Sequence, residues 1–173
     1  RAIQFYFDLN AAEVPAITCA DFNNDGRAVV MLVEKQAVSG NKYTFQSKSY
    51  GTSDNPVIVN YQLTLQGNPD KILCGDFDGD GLIDLLAVAK NASTIFWNRG
   101  TRPGSIFSDA SKTIIPQIKK KCTAISVGDF NGDGVADVVY NNPGDPTLYV
   151  LKNSGQRQFS SSAARSEERR VGK

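Results

Sequence analysis

Four aspartates stand within the nine positions Asp76-Phe77-Asp78-Gly79-Asp80-Gly81-Leu82-Ile83-Asp84, the first three at every second residue. Carboxylates packed that densely repel one another unless a cation gathers them, so the chemistry on offer is cation binding. Oxygen donors suit Ca²⁺, whose loops take side-chain oxygens at the first, third and fifth positions and a backbone carbonyl at the seventh. Gly81, sixth in the stretch, supplies the left-handed turn with which a chain curls around an ion. A second copy runs Asp129-Phe130-Asn131-Gly132-Asp133-Gly134-Val135-Ala136-Asp137, and a shorter third runs Asp21-Phe22-Asn23-Asn24-Asp25-Gly26. In the shortest copy Val29 stands where the ninth-position aspartate belongs. Either Val29 replaces it or one residue has been deleted, and with two carboxylates left its metal binding is in doubt.

Other chemistries are poorly served. The chain has no His, which removes the commonest general base and the usual zinc ligand. Gly-x-Ser-x-Gly, a phosphate-binding glycine loop and a His-containing triad are all missing, and the clustered acids are committed to loops. The expectation is therefore a protein that is not an enzyme. Net charge is +1 with no basic stripe, so nucleic acid is not an expected partner; Lys119-Lys120-Lys121 reads as a solvated loop. No apolar run approaches the roughly 18 residues of a membrane span.

The elements that must hold the loops follow from their recurrence. Asp21, Asp76 and Asp129 repeat at a spacing of roughly 50 residues, the signature of a repeat architecture. Ile17 and Cys19, Ile72 and Cys74, and Ile125 and Val127 stand four and two places before the leading aspartates. Apolar residues two apart predict a short strand entering each loop. Val29 to Val33, Leu85 to Val88 and Val138 to Tyr140 predict a second strand leaving it. Thr94 to Asn98 and Leu148 to Asn153 predict a third, followed by Asn-x-Gly and an aromatic, Phe107 or Phe159, in an outer strand. Tyr43 to Phe45 is the less clean third strand of the first copy. Up to four short strands per unit is the pattern of a propeller blade, so the fold class is all-β, a β-propeller fragment of about three four-stranded blades.

The divisions expected are 1–14 as the end of a preceding blade, with Ile3 to Asp8 its outer strand, then blades at 15–69, 70–121 and 122–164. The chain starts at Arg1, as a fragment or processed piece would. Residues 165–173 resemble the translation of a sequencing-adapter read-through and belong to no blade.

Gly75-Asp76-Phe77-Asp78-Gly79-Asp80-Gly81-x-x-Asp84-Leu85-Leu86 and Gly128-Asp129-Phe130-Asn131-Gly132-Asp133-Gly134-x-x-Asp137-Val138-Val139 resemble FG-GAP repeats, also grouped with VCBS repeats. Such repeats build the β-propeller of integrin α-subunits and integrin-like proteins. The resemblance implies a propeller, usually of seven blades, with Ca²⁺ in hairpin loops between the first two strands. Carried over residue by residue, it implies carboxylates from Asp76, Asp78, Asp80 and Asp84 with the Leu82 carbonyl in the middle copy. In the last copy it implies Asp129, Asn131, Asp133 and Asp137 with the Val135 carbonyl, and in the first Asp21, Asn23 and Asp25. It also implies an extracellular or cell-surface adhesion or interaction role with a protein or glycan ligand. Two alternatives are a sugar-binding propeller and the accessory propeller of a polysaccharide-degrading enzyme.

Rival readings of single features stand beside this. An EF-hand expects a bidentate Glu in twelfth place between helices, whereas Ala87 and Tyr140 stand there between strand-like flanks. Asp-Gly loops also form tight hairpins without metal, although four carboxylates suit a bare turn poorly. Phe22, Phe77 and Phe130 read as packing wedges between blades, and Trp97 as a blade-core or blade-edge residue. Cys19, Cys74 and Cys122 are odd in number; Val127 at the equivalent place makes Cys19 and Cys74 readable as small buried apolar residues. Asn91-Ala92-Ser93 fits an N-glycosylation acceptor.

Overall fold

The computed structural model describes residues 16–50, 56–100, 106–118, 122 and 124–163. The proposed strand Ile3 to Asp8, the Lys119 to Lys121 run and residues 165–173 lie outside them. Twelve strands form, and no helix occurs among the described residues. The first sheet contains β1 (Ala16–Ala20), β2 (Val29–Ser39), β3 (Lys42–Tyr50) and β4 (Pro56–Thr64). The second contains β5 (Pro69–Gly75), β6 (Asp84–Ala89), β7 (Ser93–Phe96) and β8 (Lys112–Ile115). The third contains β9 (Ile125–Gly128), β10 (Asp137–Asn141), β11 (Leu148–Asn153) and β12 (Phe159–Ala163). In each sheet neighbours in sequence are antiparallel neighbours in space. Three such four-stranded meanders, with β5 beside both β1 and β9, make the chain an all-β propeller fragment.

The packing explains the sequence pattern. One apolar cluster lies between the first two sheets, joining Met31, Val33, Phe45 and Leu63 to Leu85, Ala87, Phe96 and Phe107. A second lies between the second and third, joining Leu86, Val88, Ile95 and Trp97 to Val138, Tyr140 and Leu151. Successive residues of β6 thus alternate between two cores, and all six are buried. That is why this strand reads as an unbroken apolar run instead of alternating with polar residues. Gly75 permits the close approach of the third sheet: a Cβ there would lie 2.7 Å from Val127 Cγ1 and 3.0 Å from Ala136 Cβ.

Several expectations change. Phe107 lies in no strand; the outer strand of the second sheet is β8, and Phe107 is buried edge-on to Phe22 and Tyr61, with ring centroids 5.5 and 5.8 Å away. It fills the gap between sheets, where an aromatic has far more apolar area to bury than on an edge. In the first sheet β3 extends well beyond Tyr43 to Phe45, and a fourth strand, β4, pairs along it. Cys19 is exposed and Cys74 half-buried, because β1 turns the Cys19 side chain away from both cores; Cys122 is buried, and all three are free thiols. Phe22 and Phe77 are buried wedges, but Phe130 is 52% exposed, with no described sheet over it. Trp97 is a core residue, 1% exposed.

The outer edges of the first two sheets are tied by charge. Asp109 accepts from the Thr64 amide at 2.8 Å, the Thr64 hydroxyl at 2.7 Å and Lys112 Nζ at 2.8 Å. Burial opposes ionisation, but Lys112 and the Thr64 donors outweigh it and hold the Asp109 carboxyl below its usual range. A depressed carboxyl stabilises the fold above its unfolded value of about 3.9, and that contribution disappears as pH falls through the folded value. Asp109→Ala should therefore cost about 1 kcal/mol at neutral pH, after allowance for solvent screening. In urea melts the gap between variant and parent should close below about pH 3.9; a gap independent of pH would refute the assignment.

Candidate metal centre

Each acidic stretch is the hairpin loop between the first two strands of its sheet, and one backbone design recurs. The leading aspartate accepts the amides of the loop it opens. Asp76 takes Gly79 N at 2.7 Å and Gly81 N at 2.9 Å. Asp129 takes Gly132 N at 2.6 Å and Gly134 N at 2.9 Å, and Asp21 takes Asp25 N at 3.0 Å and Gly26 N at 2.7 Å. Fourth and sixth positions are left-handed: Gly79 and Gly81 at φ 77° and 85°, Gly132 and Gly134 at 77° and 86°. In the first loop Asn24 at 52° precedes Gly26 at 82°, asparagine being among the few side chains that tolerate this region. The fifth-position carboxylates then cap the seventh residue: Asp80 accepts Leu82 N at 2.8 Å and Asp133 accepts Val135 N at 3.0 Å.

The ninth aspartates do something the spacing did not announce. Asp84 and Asp137 are fully buried. Asp84 accepts Phe77 N at 2.9 Å and Asn98 N at 2.7 Å; Asp137 accepts Phe130 N at 3.2 Å and Asn153 N at 2.7 Å. Each carboxylate thereby bridges its own loop to an asparagine at the end of the third strand, Asn153, or two residues beyond it, Asn98. Asn98 and Asn153 also reach backwards. Asn98 Nδ2 donates to Phe22 O at 2.7 Å and Ile83 O at 2.9 Å, while Asn153 Nδ2 donates to Phe77 O and, at 3.0 Å, Ala136 O. The backbone carbonyl of each buried phenylalanine is thus held by the asparagine of the following sheet. These two asparagines were legible only as turn formers. Their equal offset from Phe22 and Phe77 was the available signal.

Register settles the first loop. Ala20 pairs with Val29 where Gly75 pairs with Asp84 and Gly128 with Asp137. Val29 therefore replaces the ninth aspartate, with no deletion, and it is buried in the first core.

Only the middle loop, among the described residues, gathers three carboxylates. One oxygen each from Asp76, Asp78 and Asp84 lies within 4.8 Å of the others. Asp80 lies outside that trio, exposed at the rim. Partial desolvation by the loop is the main reason the Asp80 carboxyl is raised, with Asp78 and Asp76 adding charge repulsion against the Leu82 amide. Burial pushes Asp84 up to about 7, its two amide donors opposing and the Asp78 and Asp80 charges adding. By contrast Asp129 is held low, first by the Gly134 amide, with the Gly132, Asn131 and Asp133 amides assisting. The decisive atom is Asp78 Oδ1. Its side chain is 10% exposed, and this oxygen is buried without a hydrogen-bond partner. Buried carboxylate oxygens do not ordinarily stay unpaired, so the hard-oxygen donors Asp76, Asp78 and Asp84 could hold a divalent cation. Asn23 Oδ1, third in the first loop, is likewise buried and unpartnered, although its amide donates to Asp25 at 2.9 Å.

Fold and loops together define a β-propeller segment with acidic hairpin loops. Residues 76–140 match the family model of the FG-GAP-like repeat, a match that covers well under half of the chain. No curated protein and no solved structure matches the chain significantly.

The buried Asp84 bridge yields a metal-independent prediction. Asp84→Ala leaves two buried amides unpaired and should lower stability by about 2–4 kcal/mol even with chelator present. Denaturant melts in excess chelator check this. A loss seen only in calcium would mean that Asp84 serves the ion alone.

Proposed function

We propose that this chain is a calcium-binding, non-enzymatic part of an integrin-like propeller, serving adhesion or another protein interaction outside the cell or at its surface. The observation that carries the reading is the unpartnered, buried Asp78 oxygen amid a cluster of carboxylates within 4.8 Å of one another. Asp76, Asp78, Asp80 and Asp84, with the Leu82 carbonyl, would hold Ca²⁺ in the middle loop. In the last loop the set would be Asp129, Asn131, Asp133 and Asp137 with the Val135 carbonyl. Asp21, Asn23 and Asp25 form the weakest set, because Val29 brings no charge.

When bound, the ion would neutralise charges that otherwise repel across a tight loop and so stiffen the hairpin. The role is structural: the β-hairpin and the blade junction meet at the loop, and fixing one fixes the other. Neighbouring loops on the same edge then become a rigid surface for a protein or glycan ligand. Extracellular calcium suits such a module, whose affinities typically lie at about 10⁻⁴–10⁻³ M. The FG-GAP-like repeat supports the extracellular placement. Asn91, exposed in the turn between β6 and β7, would then be open to glycosylation.

Calorimetry of the full chain tests the calcium reading. Calcium should raise the melting temperature, and Asp80→Ala should weaken binding roughly tenfold by removing one ligand charge. Asp133→Ala should do the same for the last loop. Melting curves unchanged by calcium in the parent chain would sink the proposal. A glycan array in calcium that lights up for defined sugars would move the partner from protein to carbohydrate.

A further inference from the structure

The Asp78 carboxylate is divided between two directions. Its Oδ1 has no partner, whereas Oδ2 accepts from Arg157 Nε at 3.1 Å and Nη2 at 3.0 Å. Arg157 belongs to the turn between β11 and β12 in the third sheet, so a cation from one sheet sits on the acidic loop of another. Its guanidinium also lies 4.7 Å over the Trp97 ring, which stacks on Phe159 at 6.4 Å and donates Nε1–H to Thr113 Oγ1 at 3.1 Å. Two hydrogen bonds to one oxygen and an aromatic face hold the group in place. The residue does this at φ 63°, a backbone region that bulky side chains seldom adopt.

We propose that Arg157 is a resident counter-cation of the middle loop, and that calcium and Arg157 compete for the charge of Asp78. In the metal-free loop the guanidinium offsets part of the repulsion among Asp76, Asp78 and Asp80. A divalent ion taking Asp78 Oδ1 withdraws charge from the same carboxylate and stands close to the guanidinium, which it repels. Calcium binding therefore loosens the tie between the β11–β12 turn and the middle sheet, and that tie in turn lowers calcium affinity. The two effects are equal by linkage. Metal occupancy of one blade would thus set how firmly the turn of the next is held. This inference rests on the calcium reading of the loop.

The test uses the full chain, its Arg157→Gln and Arg157→Lys variants, calcium titration by calorimetry, and the emission of Trp97, the chain's one tryptophan. In the parent, calcium should shift Trp97 emission as the guanidinium leaves the ring. Arg157→Gln in chelator should already show the shifted emission, and calcium should move it no further. Its calcium affinity should rise about three- to tenfold at low ionic strength. That gain should shrink in about 0.5 M salt, where charges are screened within a few ångströms. Arg157→Lys keeps the charge and should stay near the parental affinity. If the glutamine variant fails to fold, the lysine variant and the parental emission titration still decide. A parent that binds no calcium overturns the calcium reading and this inference together. A parent that binds calcium while Arg157→Gln binds equally or more weakly overturns this inference alone, as does calcium binding with no change in Trp97 emission.

Discussion

The junction between sheets depends on buried asparagine amides that have no freedom left. Asn98 gives its side-chain N–H groups to the Phe22 and Ile83 carbonyls, accepts the Gly100 amide at 2.9 Å, and gives its backbone N–H to Asp84. Asn153 repeats the arrangement with Phe77, Ala136, Gly155 and Asp137. The partners of each asparagine come from the loop of the preceding sheet, from the second-strand entry of its own sheet and from the turn that follows it. Replacing any one strands the others, which is why such networks specify a single packing as well as stabilise it. The apolar clusters supply area between sheets; the asparagines decide how the sheets are aligned. Ala136 N donating to Asp76 O at 2.8 Å adds a backbone tie at the same junction.

That junction and the acidic loop are one object. Asp84 is both the ninth residue of the loop and the acceptor for Asn98, so whatever stabilises its carboxylate acts on the hairpin and on the inter-sheet contact together. Burial raises its carboxyl to about 7, a cost that two amide donors offset in part and the neighbouring Asp78 and Asp80 charges increase. A cation near that cluster would favour the ionised form. Any cation held at that cluster would therefore act on blade assembly through shared atoms, with no long-range pathway required.

Much of this was legible in the residues. The spacing of Asp21, Asp76 and Asp129 exposed the repeat, and the apolar pairs before each loop and the branched residues after it located the strands that flank the loops. Period and turn chemistry survive in a single sequence because each is local. What escaped was long-range. Phe107 reads as a strand residue until Phe22 and Tyr61 are seen against it. Cys19 alternates correctly with Ile17, yet lies on an exposed part of β1. Arg157 carries no motif at all, since its partners Asp78 and Trp97 are distant in sequence. The ambiguity at Val29 also needed register: only strand pairing distinguishes a substitution from a deletion.

The three loops form a graded series in which backbone design outlasts charge. All three keep the leading aspartate, the left-handed fourth and sixth positions and the amide contacts they permit. The buried ninth carboxylate is present in two, and the three-carboxylate cluster in one. If metal binding alone maintained these loops, losing the ninth aspartate would leave little reason to preserve the turn. Yet the first loop keeps the turn and still offers the Phe22 carbonyl to Asn98. The turn therefore has an assembly role that does not require an ion: it aims the residue after the leading aspartate at the next sheet. The candidate cation site is then an elaboration of a blade-joining hairpin, with its carboxylates converging in the middle loop and valine in the ninth place of the first.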